Sequence, residues 1–125
     1  MANILICDDV KFTSSILSKQ LEELNHTILD IVVSCQDSLD FYSKNEEKID
    51  IIFLSLNLPG DKIIENSTEL LKRLKTINNH VKVIIISQSG QKQNIIKALQ
   101  NGALDFIEKP LEKGRIEEIL EPLIS

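Results

Sequence analysis

Five short, near-continuous runs of apolar residues recur along this chain, and they constrain its fold more than any other feature. They are Ile4-Leu5-Ile6-Cys7, Ile28 to Val33, Ile49 to Leu54, Val81 to Ile86, and the shorter Leu104 to Ile107. A strand with one wet face alternates apolar and polar residues. A continuous run is buried on both faces, as in a parallel sheet covered by helices on each side. Between the runs, apolar residues recur at helical spacing. Phe12, Ile16, Leu17, Leu21 and Leu24 form one stripe, and Leu39 and Tyr42 suggest a short helix. Leu70, Leu71, Leu74 and Ile77 form a third stripe, Ile95, Ile96 and Leu99 a fourth, and Ile116, Ile119, Leu120 and Leu123 the last. Alternating strands and helices give right-handed crossovers. The expectation is an α/β doubly wound three-layer sandwich of about five such units, forming one domain over residues 1–125.

Local signals place the boundaries. Asn57, Pro59 and Gly60 are turn residues, and 61–65 read as irregular. Asn66-Ser67-Thr68-Glu69 reads as a capping box, with Asn66 as N-cap and Glu69 reaching back. Gly102 is placed to close the fourth helix in a left-handed conformation.

Composition excludes several classes. A net charge of −5 leaves no basic face for nucleic acid. No apolar stretch is long enough to span a bilayer, and no signal peptide is expected. Two cysteines make no disulfide framework. These point to an acidic cytoplasmic domain, monomeric or weakly dimeric.

In open α/β sheets, sites lie beyond the carboxyl ends of the strands. Asp8 and Asp9, Ser34 and Cys35, Ser55 with Asn57, Ser87 with Ser89, and Lys109 with Pro110 all follow apolar runs. Paired carboxylates suit Mg²⁺, and a lysine beside hydroxyls suits a phosphoryl group. Plainer readings exist for each. Acids favour a helix N-terminus, and serines are common turn hydroxyls. Cys7 and Cys35 suit buried free thiols, and His26 and His80, in expected loops, need no function.

Taken in order, these residues resemble the receiver domain of bacterial response regulators, the CheY-like family. Ile4 to Asp9 is similar to its first strand and acidic pair. Asp50 to Gly60 is similar to its third strand and following loop. Val83 to Ser87, and Gly102 to Leu111, are similar to its fourth and fifth strands with their Ser/Thr and Lys-Pro. The resemblance covers the whole chain. It implies a flavodoxin-like five-stranded parallel sheet in the order 2-1-3-4-5. It also implies a metal site at Asp8, Asp9 and the Asn57 backbone carbonyl, Ser87 and Lys109 as phosphoryl contacts, a cis Lys109-Pro110 peptide, and Phe106 as an aromatic switch. A plain core aromatic is the alternative for Phe106.

Two departures stand out. Ser55 occupies the place of the family's phosphoacceptor aspartate, and no Asp-Gly follows Pro59-Gly60, so the next loop is longer. A carboxylate is ionised at pH 7 and attacks unaided; a serine hydroxyl needs a base. Losing one carboxylate should weaken Mg²⁺ binding. It also leaves Lys109 to pair with Asp8 or Asp9, because an unpaired buried ammonium is costly.

The leading expectation is a non-enzymatic pseudoreceiver in two-component phosphorelay signalling. It would bind a histidine kinase or downstream target through its fourth helix, fifth strand and fifth helix. Candidates on that face are Lys92, Lys97, Phe106, Glu108, Arg115 and Glu118. The alternative is a phosphorylatable receiver with an unusual acceptor, or one carrying an engineered aspartate-to-serine change at Ser55. A flavin or nucleotide binder is disfavoured, since no glycine-rich phosphate cradle follows any strand.

Overall fold

A computed structural model describes residues 1–124. Its elements alternate along the chain. They are β1 (Asn3–Cys7), α1 (Lys11–Glu23), β2 (Thr27–Val32), α2 (Cys35–Asn45), β3 (Ile51–Ser55), α3 (Ser67–Ile77), β4 (Lys82–Ser87), α4 (Lys92–Gln100), β5 (Asp105–Glu108) and α5 (Lys113–Ile124). The five strands form one parallel sheet in the order β2-β1-β3-β4-β5. Among the described residues, no helix is long and apolar enough to cross a membrane.

The apolar runs work because both sheet faces are covered. Alternate residues of each central strand enter different cores. Leu5, Cys7, Ile52, Leu54, Val83 and Ile85 pack with α2, α3 and α4. Ile4, Ile6, Ile51, Phe53, Ile84 and Ile86 pack with α1 and α5. Phe53 is fully buried, and truncating such a phenylalanine to alanine costs roughly 3–5 kcal/mol.

The outer strands differ from the expectation of runs buried on both faces. β2 and β5 are edges, and both are only partly covered. Leu104 is 48% exposed and precedes β5. Three helical stripes also need correction; in α3, Leu70, Leu71 and Leu74 are buried, but Ile77 at the helix end is exposed. α1 buries Thr13, Ser14, Leu17 and Leu21, while Phe12 is 77% exposed. Each helical residue turns about 100°, so Phe12 points one step away from that face. The same step separates the buried Ile95 and Ala98 of α4 from the exposed Ile96 and Leu99.

Helix ends follow local chemistry. Asn66 Oδ1 accepts the Glu69 amide at 2.9 Å, forming the N-cap of α3. The Glu69 side chain does not reach back; it pairs with Lys72 at 3.2 Å. The helix before β3 is longer than expected, because Ser34 caps it through the Asp37 amide at 3.1 Å. After α4, Gly102 takes φ of 105° and the Ala103 amide returns to the Ala98 carbonyl at 3.0 Å. That left-handed turn aims the chain into β5.

Candidate functional site

The parallel register brings the ends of β1, β3, β4 and β5 to one edge of the sheet. Asp8 leaves β1 with its amide held by the Val32 carbonyl at 3.0 Å. Its side chain is fully buried. Oδ1 accepts the Val10 amide at 3.0 Å, and Oδ2 has no hydrogen-bond partner among the described residues. Burial is the main influence on this carboxyl and pushes its pKa up. The Val10 amide and the Lys109 ammonium pull it down, and Asp9 adds a smaller upward push. Asp9 itself is exposed.

Lys109 reaches the site from the end of β5. Its amide donates to the Ser87 carbonyl at 2.8 Å, and Lys109-Pro110 is a cis peptide. Its Nζ stands 4.0 Å from Asp8 Oδ2. That is an electrostatic contact at the outer limit of an ion pair, too long for a hydrogen bond. Ser87 is 1% exposed, and its hydroxyl has no hydrogen-bond partner among the described residues.

Ser55 ends β3 and is 1% exposed. Its Oγ accepts the Asn57 amide at 3.2 Å, and its carbonyl accepts the Ser67 hydroxyl at 2.5 Å. Among the described residues no histidine, carboxylate or lysine hydrogen-bonds to this hydroxyl, so it has no partner to take its proton. Asn57 is exposed, and its Oδ1 accepts from Gln91 Nε2 at 2.9 Å. Ser67 and Gln91 are thus structural members of the site. The Asn66–Glu69 cap signal placed Ser67 at the right helix end, but nothing in the sequence gave its hydroxyl's direction. No sequence signal marked Gln91.

The segment after β3, which read as irregular, is tied down. Asp61 Oδ1 accepts the Ile63 and Ile64 amides at 2.8 and 2.9 Å, and the Asp61 amide returns to the Ile64 carbonyl. Those amides hold the exposed Asp61 carboxyl below its usual range, Ile64 most strongly. Ile64 is thereby fully buried. The turn packs so closely that a Cβ on Gly60 would run into the Glu65 and Ile64 carbonyl oxygens.

Cys7 and Cys35 are buried free thiols. Burial pushes Cys7 up to about 12 and Cys35 up to about 11. Both are therefore neutral, unreactive packing groups at pH 7. His26 accepts the Ala2 amide at Nδ1, far from this edge. Phe106 is half-buried against the α2–α4 core.

Among the described residues no three His, Cys, Asp or Glu side chains gather into a metal-binding group. The Asp8–Asp9 pair still fits Mg²⁺, which takes one or two carboxylates and keeps several waters. The unpartnered Asp8 Oδ2 is the atom best suited to it. A groove of about 460 Å³ runs between Phe12, Ile16, Ser89, Lys109 and Pro110, and Lys109 links it to Asp8.

The sequence and the fold both match known proteins. The family model for the response regulator receiver domain matches residues 4–121. Protein CcdB of Bacillus subtilis is 28% identical over 100% of this chain and 99% of its own. Chemotaxis protein CheY of Thermotoga maritima is 27% identical over 94% of this chain and 92% of its own. Among solved structures, the CheX-CheY-BeF3-Mg+2 complex from Borrelia burgdorferi superposes with a TM-score of 0.88. It shares 26% identity, over 99% of this chain and 90% of that one.

Proposed function

Given that the chain belongs to the response regulator receiver family, a module of two-component signalling, we propose that it is a pseudoreceiver. It acts by binding a partner and does not run the aspartyl-phosphate cycle. The single observation that carries this reading is Ser55. It sits at the end of β3 where the family places its acceptor aspartate, and its buried hydroxyl is engaged by the Asn57 amide, with no base hydrogen-bonded to it among the described residues. A neutral hydroxyl without a base does not attack a phosphodonor at a useful rate.

The other residues keep supporting roles. Asp8 and Asp9, with the Asn57 backbone carbonyl, form a metal site weakened by one missing carboxylate. Ser87 and Lys109 are the remaining phosphoryl-facing groups. The partner is a histidine kinase or a downstream target in a bacterial cytoplasm, and it docks on the α4-β5-α5 face. Arg115 stiffens that face, bonding Asp105 and the Phe106 carbonyl at 3.3 and 3.2 Å and Glu118 at 3.1 Å. This braces β5 against α5 and supports a face held in one conformation.

Incubation with acetyl phosphate and Mg²⁺, followed by intact mass measurement, tests the reading. The expected result is unmodified protein. A stoichiometric phosphoryl adduct on the wild-type chain overturns it.

A further inference from the structure

We propose that Gln91 is a strap from the β4–α4 loop to Asn57, which restricts access to Ser55 and fixes the start of α4 without any phosphoryl group. This deepens the pseudoreceiver reading above and rests on it: a face that chemistry at Ser55 does not switch is held in one conformation by the protein's own side chains.

A series of hydrogen bonds runs from Ser55 to the β4–α4 loop. The Asn57 amide donates to Ser55 Oγ at 3.2 Å. Asn57 Oδ1 accepts from Gln91 Nε2 at 2.9 Å. Gln91 Oε1 accepts the Gln88 amide at 2.8 Å. That last bond sets the direction of the Gln91 side chain. A backbone N–H only donates, so the carbonyl end of the side chain faces Gln88 and the NH₂ end faces Asn57. β3 and β4 are neighbours in the sheet, with Ser55 beside Ile86. The bond from Asn57 to Gln91 therefore bridges the edge where Ser55 ends β3 and Ser87 ends β4. Ser55 and Ser87 are each 1% exposed, whereas Asn57 is exposed above them.

Packing does not secure this loop. Gln88, Ser89 and Gly90 are all exposed, and a Cβ added to Gly90 would meet no atom within 4 Å. Gly90 itself takes φ of 86°, a left-handed turn that glycine adopts at no steric cost. Segments with few buried contacts open locally at low free energy, so the side-chain bonds decide how this one is held. Gln91 also begins α4, since its carbonyl accepts the Ile95 amide at 3.0 Å. The residue that fastens the loop to Asn57 thus also places the first turn of α4, on the face proposed for the partner.

The test puts a thiol at the strapped position and measures its access. Ser55→Cys in the full chain is treated with iodoacetamide at pH 8, alone and combined with Gln91→Ala or Asn57→Ala, and the labelled peptides are read by mass. Loss of one net hydrogen bond should raise labelling at position 55 about fivefold in either combination. Ser89→Ala, in the same loop but outside the strap, should leave the rate unchanged. Cys7 and Cys35 are buried and report global unfolding, so they should stay unlabelled. Hydrogen exchange on the chain with its own Ser55 is the second reading. Asn57→Ala should speed exchange of the Gln88 and Ile95 amides, although neither is bonded to Asn57. Equal labelling at position 55 with and without the Gln91 side chain overturns the proposal, as does unchanged exchange at Gln88 and Ile95. A rise that Cys7 and Cys35 share equally assigns the effect to global unfolding and also overturns it. No phosphodonor enters either experiment. Failure here therefore leaves the pseudoreceiver reading standing, and a covalent adduct from acetyl phosphate would overturn that reading separately.

Discussion

Lys109 Nζ faces Asp8 Oδ2 at 4.0 Å, close enough for attraction but without a hydrogen bond, and the carboxylate oxygen has no other partner among the described residues. The site therefore holds a buried charge that the protein itself compensates poorly. Sites of this kind cost stability and are kept for what they bind.

This makes Asp8 a trade between folding and binding. Asp8→Asn keeps an Oδ1 acceptor for the Val10 amide while removing the buried charge. Burial outweighs the Lys109 attraction in setting the Asp8 pKa. The raised pKa means the folded state holds its proton more tightly than the unfolded chain, so Asp8 ionisation lowers stability as pH rises from acid to neutral. We expect Asp8→Asn to melt a few degrees higher at pH 7 in metal-free buffer and to lose Mg²⁺ binding. Scanning calorimetry and a Mg²⁺ titration check both; a lower melting point would contradict the burial argument.

The turn after β3 should tolerate no side chain at Gly60. An added Cβ meets backbone carbonyls of 64 and 65, which cannot rotate away as a side chain would. Overpacking of this kind costs about 1–3 kcal/mol. Urea unfolding of Gly60→Ala should show a loss in that range, and a value within error of zero would show that the loop yields.

The α3 cap gives a local check. Asn66→Ala removes the acceptor for the Glu69 amide, and such losses are worth about 1 kcal/mol. Asn66→Asp, which retains the acceptor and suits the helix dipole, should be near neutral. Equal losses in both variants would place the effect outside the cap.

The thiols should report on the core. Cys7 and Cys35 are buried, so neither should react with a thiol reagent at pH 8 until the protein unfolds. Their raised values, about 12 and about 11, lie above the ordinary thiol value. The folded state therefore keeps these protons longer than the unfolded chain, and stability should fall as pH climbs from about 9 toward 12. Rapid labelling of the native protein would contradict this packing.

The sheet was readable because both of its faces are covered. Leu5 and Ile6 enter opposite cores, so the central strands appear in the sequence as unbroken apolar runs. The edges were less legible for the same reason: β2 and β5 are half open, and Leu104 lies outside the strand it was expected to begin. Phe12 misled because helical spacing alone does not say which of two adjacent stripes faces inward. At the candidate site, the order of strands delivered Asp8, Ser55, Ser87 and Lys109 to one edge, as their positions after apolar runs suggested. The bonds from Ser67 to the Ser55 carbonyl and from Gln91 to Asn57 depend on side-chain directions across 12 and 34 residues. No local pattern encodes those.

The central claim is that Ser55 separates this chain from the phosphorylation cycle. Its most direct test treats wild type and Ser55→Asp side by side with acetyl phosphate and Mg²⁺, and reads intact mass over time. The account predicts unmodified wild type and a Mg²⁺-dependent adduct on Ser55→Asp that decays as an acyl phosphate does. An adduct on the wild-type chain, stable and mapped to Ser55, would contradict it.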